Sequence, residues 1–263
     1  MNQLRRYFVW MAYHGAAYHG WQAQNNAGTV QQKLQEALDT LLGSATGLTG
    51  QGRTDAGVHA RTMVAHFDTP DPVSENLVAR LNQFLPRDIR IRHIRQVTAE
   101  AHARYSAQYR LYRYYIHTNP DPFMWDRSWY VRNLPFPERL PIAAGRLCSQ
   151  TDFGCFAKTH GGNHTNICRV EQAEWRCDNH RLVFTIKANR FLRQMVRAIV
   201  GSMVAVAQGK KSIEWWDSLL IDSPERKCGV AAPPQGLFLD EIGYPPVLFI
   251  PEIMDTTREI LEE

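Results

Sequence analysis

Residues 5–13, Arg-Arg-Tyr-Phe-Val-Trp-Met-Ala-Tyr, concentrate aromatic and β-branched side chains and predict a β-strand that His14-Gly15 stops. Apolar residues then change period. Val30, Leu34, Leu38, Leu41 and Leu42 recur at helical intervals behind Thr29, an N-cap with Gln32 in the capping-box position, and Gly43 ends the helix. A loop with many small residues runs from Gly43 to Ala60. Beyond it the pattern predicts a strand over 63–68, a helix over 74–84, and a strand over 88–97 in which Ile and Arg alternate.

The second half takes up the same theme without repeating the sequence. Tyr109–Thr118 predicts a strand and 138–148 a helix. The runs Cys168–Cys177 and Arg181–Ala188 predict a hairpin about Asp178-Asn179-His180. Arg190–Ala207 carries the clearest helical pattern, followed by a short helix over 212–221 and a last strand over Gly236–Gly243. Strands and helices without regular βαβ alternation place the chain in the α+β class on a largely antiparallel sheet. A division into 1–105 and 106–263 suits the length of 263 residues.

With 44% hydrophobic residues the chain can bury a sizeable core, which does not fit a disordered protein. The net charge of +4 is mild, but it is unevenly spread. Seven arginines stand against two acids from Arg87 to Arg113, and six Lys or Arg against none from Lys187 to Lys211; the last twelve residues hold five acids. Two basic segments suit a polyanionic partner, although two solvated faces would give the same count. Five cysteines, an odd number without a C-x-x-C pair, fit reduced thiols in a cytosol. The longest uncharged apolar run, 198–207, is about half a membrane span, so a soluble, cytoplasmic protein is expected.

Candidate chemistry gathers in Gly50-Gln-Gly-Arg-Thr-Asp-Ala-Gly-Val-His-Ala60. Gly52 and Gly57 permit a tight turn and close approach of backbone to a ligand. Asp55, between them, can serve as nucleophile or general base, and Arg53 can hold its charge or grip a phosphate; an ordinary polar turn has the same residues. On the strand 109–118, Arg110, Tyr112 and Tyr114 share one face and Leu111, Arg113 and Tyr115 the other, so a Tyr beside cations is available to stack on a base. In a helix over 190–207, Arg190, Arg193 and Arg197 form one basic stripe opposite Leu192, Met195, Val196, Ile199 and Met203, a rail for phosphates or a solvated face. Cys155, His160, His164 and Cys168 are four zinc-type ligands, but the run lacks a C-x-x-C knuckle and centres on Gly161-Gly162-Asn163, so no metal is expected. P-loop, dinucleotide, G-x-S-x-G and paired-carboxylate metal motifs are missing, which weakens kinase, dehydrogenase and hydrolase readings.

Taken in order, Tyr18-His-Gly-Trp-Gln22, Gly52-Arg-Thr-Asp-Ala-Gly-Val-His59, Asn82-Gln-Phe-Leu-Pro86, His102-Ala-Arg-Tyr-Ser106, Arg110-Leu-Tyr-Arg-Tyr114, Asp152-Phe-Gly-Cys-Phe156, the run Lys187–Gly201 and Gly236-Leu-Phe-Leu239 resemble the tRNA pseudouridine synthase A family. The resemblance implies a pseudouridine synthase fold of two α+β lobes on a central antiparallel sheet, with a basic cleft between them. It also implies a homodimer that binds the anticodon arm of tRNA and isomerises uridines at its thirty-eighth to fortieth positions, with no cofactor. It makes Asp55 the nucleophile and packs Tyr112 on the target base. Arg53 and Arg197 become the residues that orient Asp55 or hold phosphate. The chain departs from the family's usual pattern at His14, where Asp is common, and at Gly154-Cys155.

The chemistry asks for nothing more, since pseudouridine keeps every atom of uridine and exchanges a C1′–N1 bond for C1′–C5. A carboxylate can attack C1′, attack C6, or take a ribose proton to give a glycal, and one Asp suits all three. A stem base must also be extruded, which asks for compensating stacking. Two other classes compete: a non-catalytic RNA-binding α+β protein, and a metal-dependent phosphoesterase built on Asp55 and His59.

Overall fold

The computed structural model describes residues 4–25, 27–43, 47–158, 164–178, 180–221 and 228–251. In chain order its elements are β1 (Arg5–Tyr13), α1 (Val30–Leu42), β2 (Thr49–Gly50), β3 (His59–Thr69), α2 (Leu77–Phe84), β4 (Ile89–Val97), β5 (Tyr109–His117), β6 (Trp129–Tyr130), α3 (Arg139–Gly145), β7 (Val170–Asp178), β8 (Arg181–Ala188), α4 (Met195–Ala207), α5 (Ile213–Leu219) and β9 (Leu237–Gly243). The strands form one sheet of order β4-β1-β3-β9-β5-β8-β7, with β2 beside β3 and β6 beside β5. All pairings are antiparallel except β3–β9 and β5–β6. The class is therefore α+β on a mostly antiparallel sheet, as expected.

The topology places the chemistry. The last strand lies between those of the first hundred residues and those that follow, and it meets β3 only at His59↔Phe238 and Ala60↔Leu239. β3 begins directly after the Asp55 loop, so that loop opens at the middle of the sheet. Alternation buries Tyr7, Val9, Met11 and Tyr13 on one face of β1, and α1 buries Val30, Leu34, Ala37 and Leu38. Thr29 caps α1 by accepting the Gln32 N–H at 3.4 Å, and Gly43 closes it at φ 68°. The Gln32 side chain bonds Glu36 instead of returning to Thr29, so half of the capping box forms.

The main correction concerns residues 190–194. The helix starts at Met195, not at Arg190, because Gln194 takes a left-handed φ of 64°, unlike any other non-glycine among the described residues. Leu192 is buried, the Arg193 carbonyl accepts from the Lys158 N–H, and a turn from Leu192 to Met195 leads into α4. The basic stripe therefore does not exist: Arg190 and Arg193 lie on an irregular segment and Arg197 on the helix. Nor is α4 an amphipathic surface helix, since eleven of its thirteen residues are buried. Smaller shifts are those of helix ends, with α2 starting at Leu77 and α3 ending at Gly145. Among the described residues no helix is long and apolar enough to cross a membrane.

Candidate active site

The Asp55 loop is bound to the preceding chain by backbone bonds that demand small residues. Trp21 N–H donates to the Thr54 carbonyl at 3.4 Å and Gly57 N–H to the Tyr18 carbonyl at 3.2 Å, while within the loop Val58 N–H donates to the Asp55 carbonyl at 3.1 Å. Gly20 sits at φ 89°, and a Cβ there would lie 2.3 Å from the Thr54 carbonyl oxygen; one on Gly15 would lie 2.0 Å from that of Val58. Gly15 and Gly20 thus let the preceding chain lie against the loop, Gly57 takes the turn at φ 77°, and Gly52 has open space around it. Thr54 is fastened from below, its hydroxyl 2.8 Å from the buried Tyr13 hydroxyl.

Asp55 is held by Arg197. The guanidinium Nη1 donates to Asp55 Oδ2 at 2.9 Å while its Nε donates to the Ala232 carbonyl at 2.7 Å, and the two side chains are only 15% and 21% exposed. A two-pronged guanidinium cannot swivel freely, so it fixes the direction of the carboxylate. The segment 230–234 completes the clamp. Ala232 N–H bonds the Arg197 carbonyl at 2.9 Å, the Tyr114 hydroxyl donates to the Pro233 carbonyl at 2.7 Å, and Pro234 packs where Gly57 has no side chain.

Tyr112 comes to the same place from β5. It is buried, its ring meets Phe191 edge-on at 5.0 Å, and burial pushes its phenol up to about 12, with the Arg110 charge working against the shift and that of Asp55 adding to it. Its hydroxyl has no hydrogen-bond partner among the described residues. The phenol is a neutral donor at neutral pH.

Arg110 has a different duty. It is buried, with Nε donating to Gln51 Oε1 at 3.0 Å and Nη1 to the carbonyls of Ala107 and Asn189, while Nη2 reaches the Arg104 carbonyl at 2.6 Å. Desolvation lowers its pKa, as no carboxylate compensates the charge. The Asp loop, the turn before β5 and the Asn189–Phe191 segment are thus tied to one cation. Residues Arg113 and Tyr115 lie on the opposite face with Arg61 and Asp240, whose carboxylate joins both arginines.

Arg53 is exposed and makes no hydrogen bond or ion pair among the described residues. The partner of Asp55 is therefore Arg197 and not its near neighbour in sequence. His59 is unsuited to work beside Asp55 as a metal ligand or base. Its Nδ1 accepts the Gly15 N–H at 3.0 Å, its Nε2 donates to the Gln235 carbonyl at 3.1 Å, and burial, helped by His14, lowers it to about 4. Among the zinc-type ligands, His160 lies outside the described residues. Cys155 donates to the Leu219 carbonyl and Cys168 is buried, and desolvation raises them to about 12 and about 11, so both are thiols. The signal for the 230–234 clamp was absent from the sequence, which shows only Val-Ala-Ala-Pro-Pro there.

A family model described as tRNA pseudouridine synthase matches residues 143–245. Proteins named tRNA pseudouridine synthase A resemble the chain from end to end. That of Bacteroides thetaiotaomicron is 43% identical over 95% of this chain and 94% of its own length. That of Porphyromonas gingivalis is 44% identical over 94% and 100%. The chain belongs to the tRNA pseudouridine synthase A family. The likeness extends to a protein so named in Coxiella burnetii, 36% identical over 95% of this chain. Two of the segments on which the resemblance was read also have evident local duties. Asn82 bonds both the N–H and the carbonyl of Ile91 at 2.8 Å, locking α2 to β4, and Tyr18 donates to Asp88 at 2.7 Å.

Proposed function

We propose that the chain isomerises uridine to pseudouridine in tRNA, at the thirty-eighth to fortieth positions of the anticodon arm, with Asp55 as the nucleophile. The observation that carries this reading is the clamp itself: a carboxylate from one half of the chain held by an arginine 142 residues away, beside a neutral buried phenol. A two-lobed arrangement, 1–105 with Asp55 and 106–263 with Tyr112 and Arg197, would bring substrate to a basic cleft between them. The homodimer and the cytoplasmic setting belong to the same proposal through the family.

The residues divide the work as follows. Arg197 aims Asp55, whose oxygen either attacks C1′ or C6 or takes a ribose proton; each route needs a carboxylate held still in a shielded place. Tyr112 packs on the uracil, keeping the detached ring in place while C5 turns toward C1′. Arg53 grips a backbone phosphate and stabilises the extruded nucleotide. Breaking C1′–N1, forming C1′–C5 and moving the C5 proton to N1 balances without an oxidant, a reductant or any added group.

The test is to incubate the protein with uridine-labelled tRNA in the presence of a chelator and to analyse the nucleosides. Pseudouridine at the anticodon arm is the expected product. RNA recovered unchanged would favour a binding protein, and cleaved RNA whose formation stops with chelator would favour a phosphoesterase.

A further inference from the structure

Tyr105 is a large aromatic side chain left 76% exposed. It is not loosely attached. His102 Nδ1 accepts the backbone N–H of Arg104 at 3.1 Å and of Tyr105 at 3.3 Å, and the His102 N–H donates to Ser106 Oγ at 3.0 Å. The His102 ring lies 4.5 Å from that of Tyr105 and edge-on to His66 at 4.6 Å, and His66 in turn accepts the Ala103 N–H. The turn is therefore built from beneath to present one ring to solvent.

Its place in the molecule gives that ring a purpose. The buried Arg110 ties the Arg104 carbonyl to Gln51, four residues before Asp55, and to Asn189, two before Phe191. Tyr112 stands two positions beyond Arg110 on the same strand face. The turn thus borders the Asp55 site. The Arg104 guanidinium is 5.5 Å from the Tyr105 ring centre, and Arg53 and Arg193 are also exposed. The Arg104 side chain over the ring is charged and exposed, so the patch is a single aromatic beside a cation and not the apolar surface that a protein partner would cover.

We propose that Tyr105, with Arg104 beside it, is a stacking platform for an unpaired nucleobase of the tRNA at the rim of the Asp55 site. A base has a π-face whatever its identity, and its own phosphate supplies the anion for Arg104. The platform rests on the reading of the chain as a tRNA-acting enzyme. It adds a contact outside the reacting nucleotide, one that holds RNA without taking part in the chemistry.

The experiment measures the affinity of labelled tRNA by fluorescence anisotropy, and KM and kcat, for the full chain and for Tyr105→Phe and Tyr105→Ala. Tyr105→Phe keeps the ring and binds within about twofold of the unaltered protein. Tyr105→Ala weakens binding roughly ten- to a hundredfold, the scale of one base–aromatic stack. Its KM rises in step, kcat at saturating tRNA stays within about threefold, and the melting temperature is unchanged. Affinity of Tyr105→Ala within twofold of the unaltered protein would overturn the platform, as would Phe and Ala variants equally weak, or a loss confined to kcat. Ring-dependent binding with no pseudouridine formed would leave the platform standing and remove the isomerase reading. Pseudouridine made normally by an Ala variant that binds undiminished would do the reverse.

Discussion

Replacing Arg197 with Met removes the clamp on Asp55 while keeping an unbranched apolar stem in α4. The guanidinium makes two bonds, one to Asp55 and one to the Ala232 carbonyl. With side chains 15% and 21% exposed, the ion pair lies between two known extremes. Surface pairs contribute about 0–1 kcal/mol, and stripping one partner from a buried pair costs about 3–5 kcal/mol. A charge-assisted hydrogen bond in this intermediate setting is worth about 2 kcal/mol, and at about 1.4 kcal/mol per decade its loss slows turnover roughly thirtyfold. Arg197→Lys keeps a cation, but one ammonium cannot serve both acceptors in a fixed fork, so it restores part of the rate. The assay is single-turnover formation of pseudouridine at saturating enzyme, with tRNA affinity measured separately. If Arg197→Met turns over within threefold of the unaltered protein, or if its whole defect lies in affinity, Arg197 does not orient Asp55.

Other outcomes follow from the same geometry. Tyr112→Phe keeps the packing ring and leaves kcat and KM within about threefold, whereas a hundredfold fall in kcat alone would make the hydroxyl a proton-transfer group. Arg53→Ala weakens tRNA binding and lowers the slope of log affinity against log salt by about one, because one phosphate contact is lost; an unchanged slope would deny that contact. His59 and His66 are both lowered by burial to about 4, so the unfolded chain, with ordinary histidines near 6.5, takes up protons more readily. The stability they contribute is complete above about pH 6.5 and is lost as pH falls toward 4. Melting temperature should thus drop by a few degrees from pH 7 to pH 5, and a flat profile would show that the rings are solvated.

Much of the fold was legible where side-chain period alone decides the element. β1, α1, β4, β5 and the β7–β8 hairpin lie within a residue or two of their expected places, since each carries a clean alternation or a complete set of helix signals. The start of α4 was hidden because Phe191 and Leu192 continue the helical spacing while Gln194 breaks the backbone, and a left-handed residue other than Gly leaves no mark in the pattern. The two-residue strands β2 and β6 were too short to show a period, and the parallel β3–β9 join depends on tertiary contact.

Residues singled out from the sequence lie together in the fold, but the bonds between them could not be read from it. Asp55 and Arg197 are hydrogen-bonded and Tyr112 is close enough for the Asp55 charge to act on its phenol, but the face shared by Arg110 and Tyr112 is buried, and its bonds make Arg110 an internal fastener. Alternation tells which side chains share a face and is silent on what covers it. The choice between Arg53 and Arg197 as partner of Asp55 likewise needed three-dimensional structure, because sequence proximity favoured Arg53.

The most direct measurement is single-turnover conversion of tRNA by Asp55→Asn in chelating buffer, with RNA binding and melting followed alongside. The substitution keeps the shape and a hydrogen-bond acceptor for Arg197 but removes the nucleophilic oxygen. Asp55→Asn is expected to form no pseudouridine above background while it still folds and binds tRNA. Turnover within tenfold of the unaltered protein would contradict that expectation.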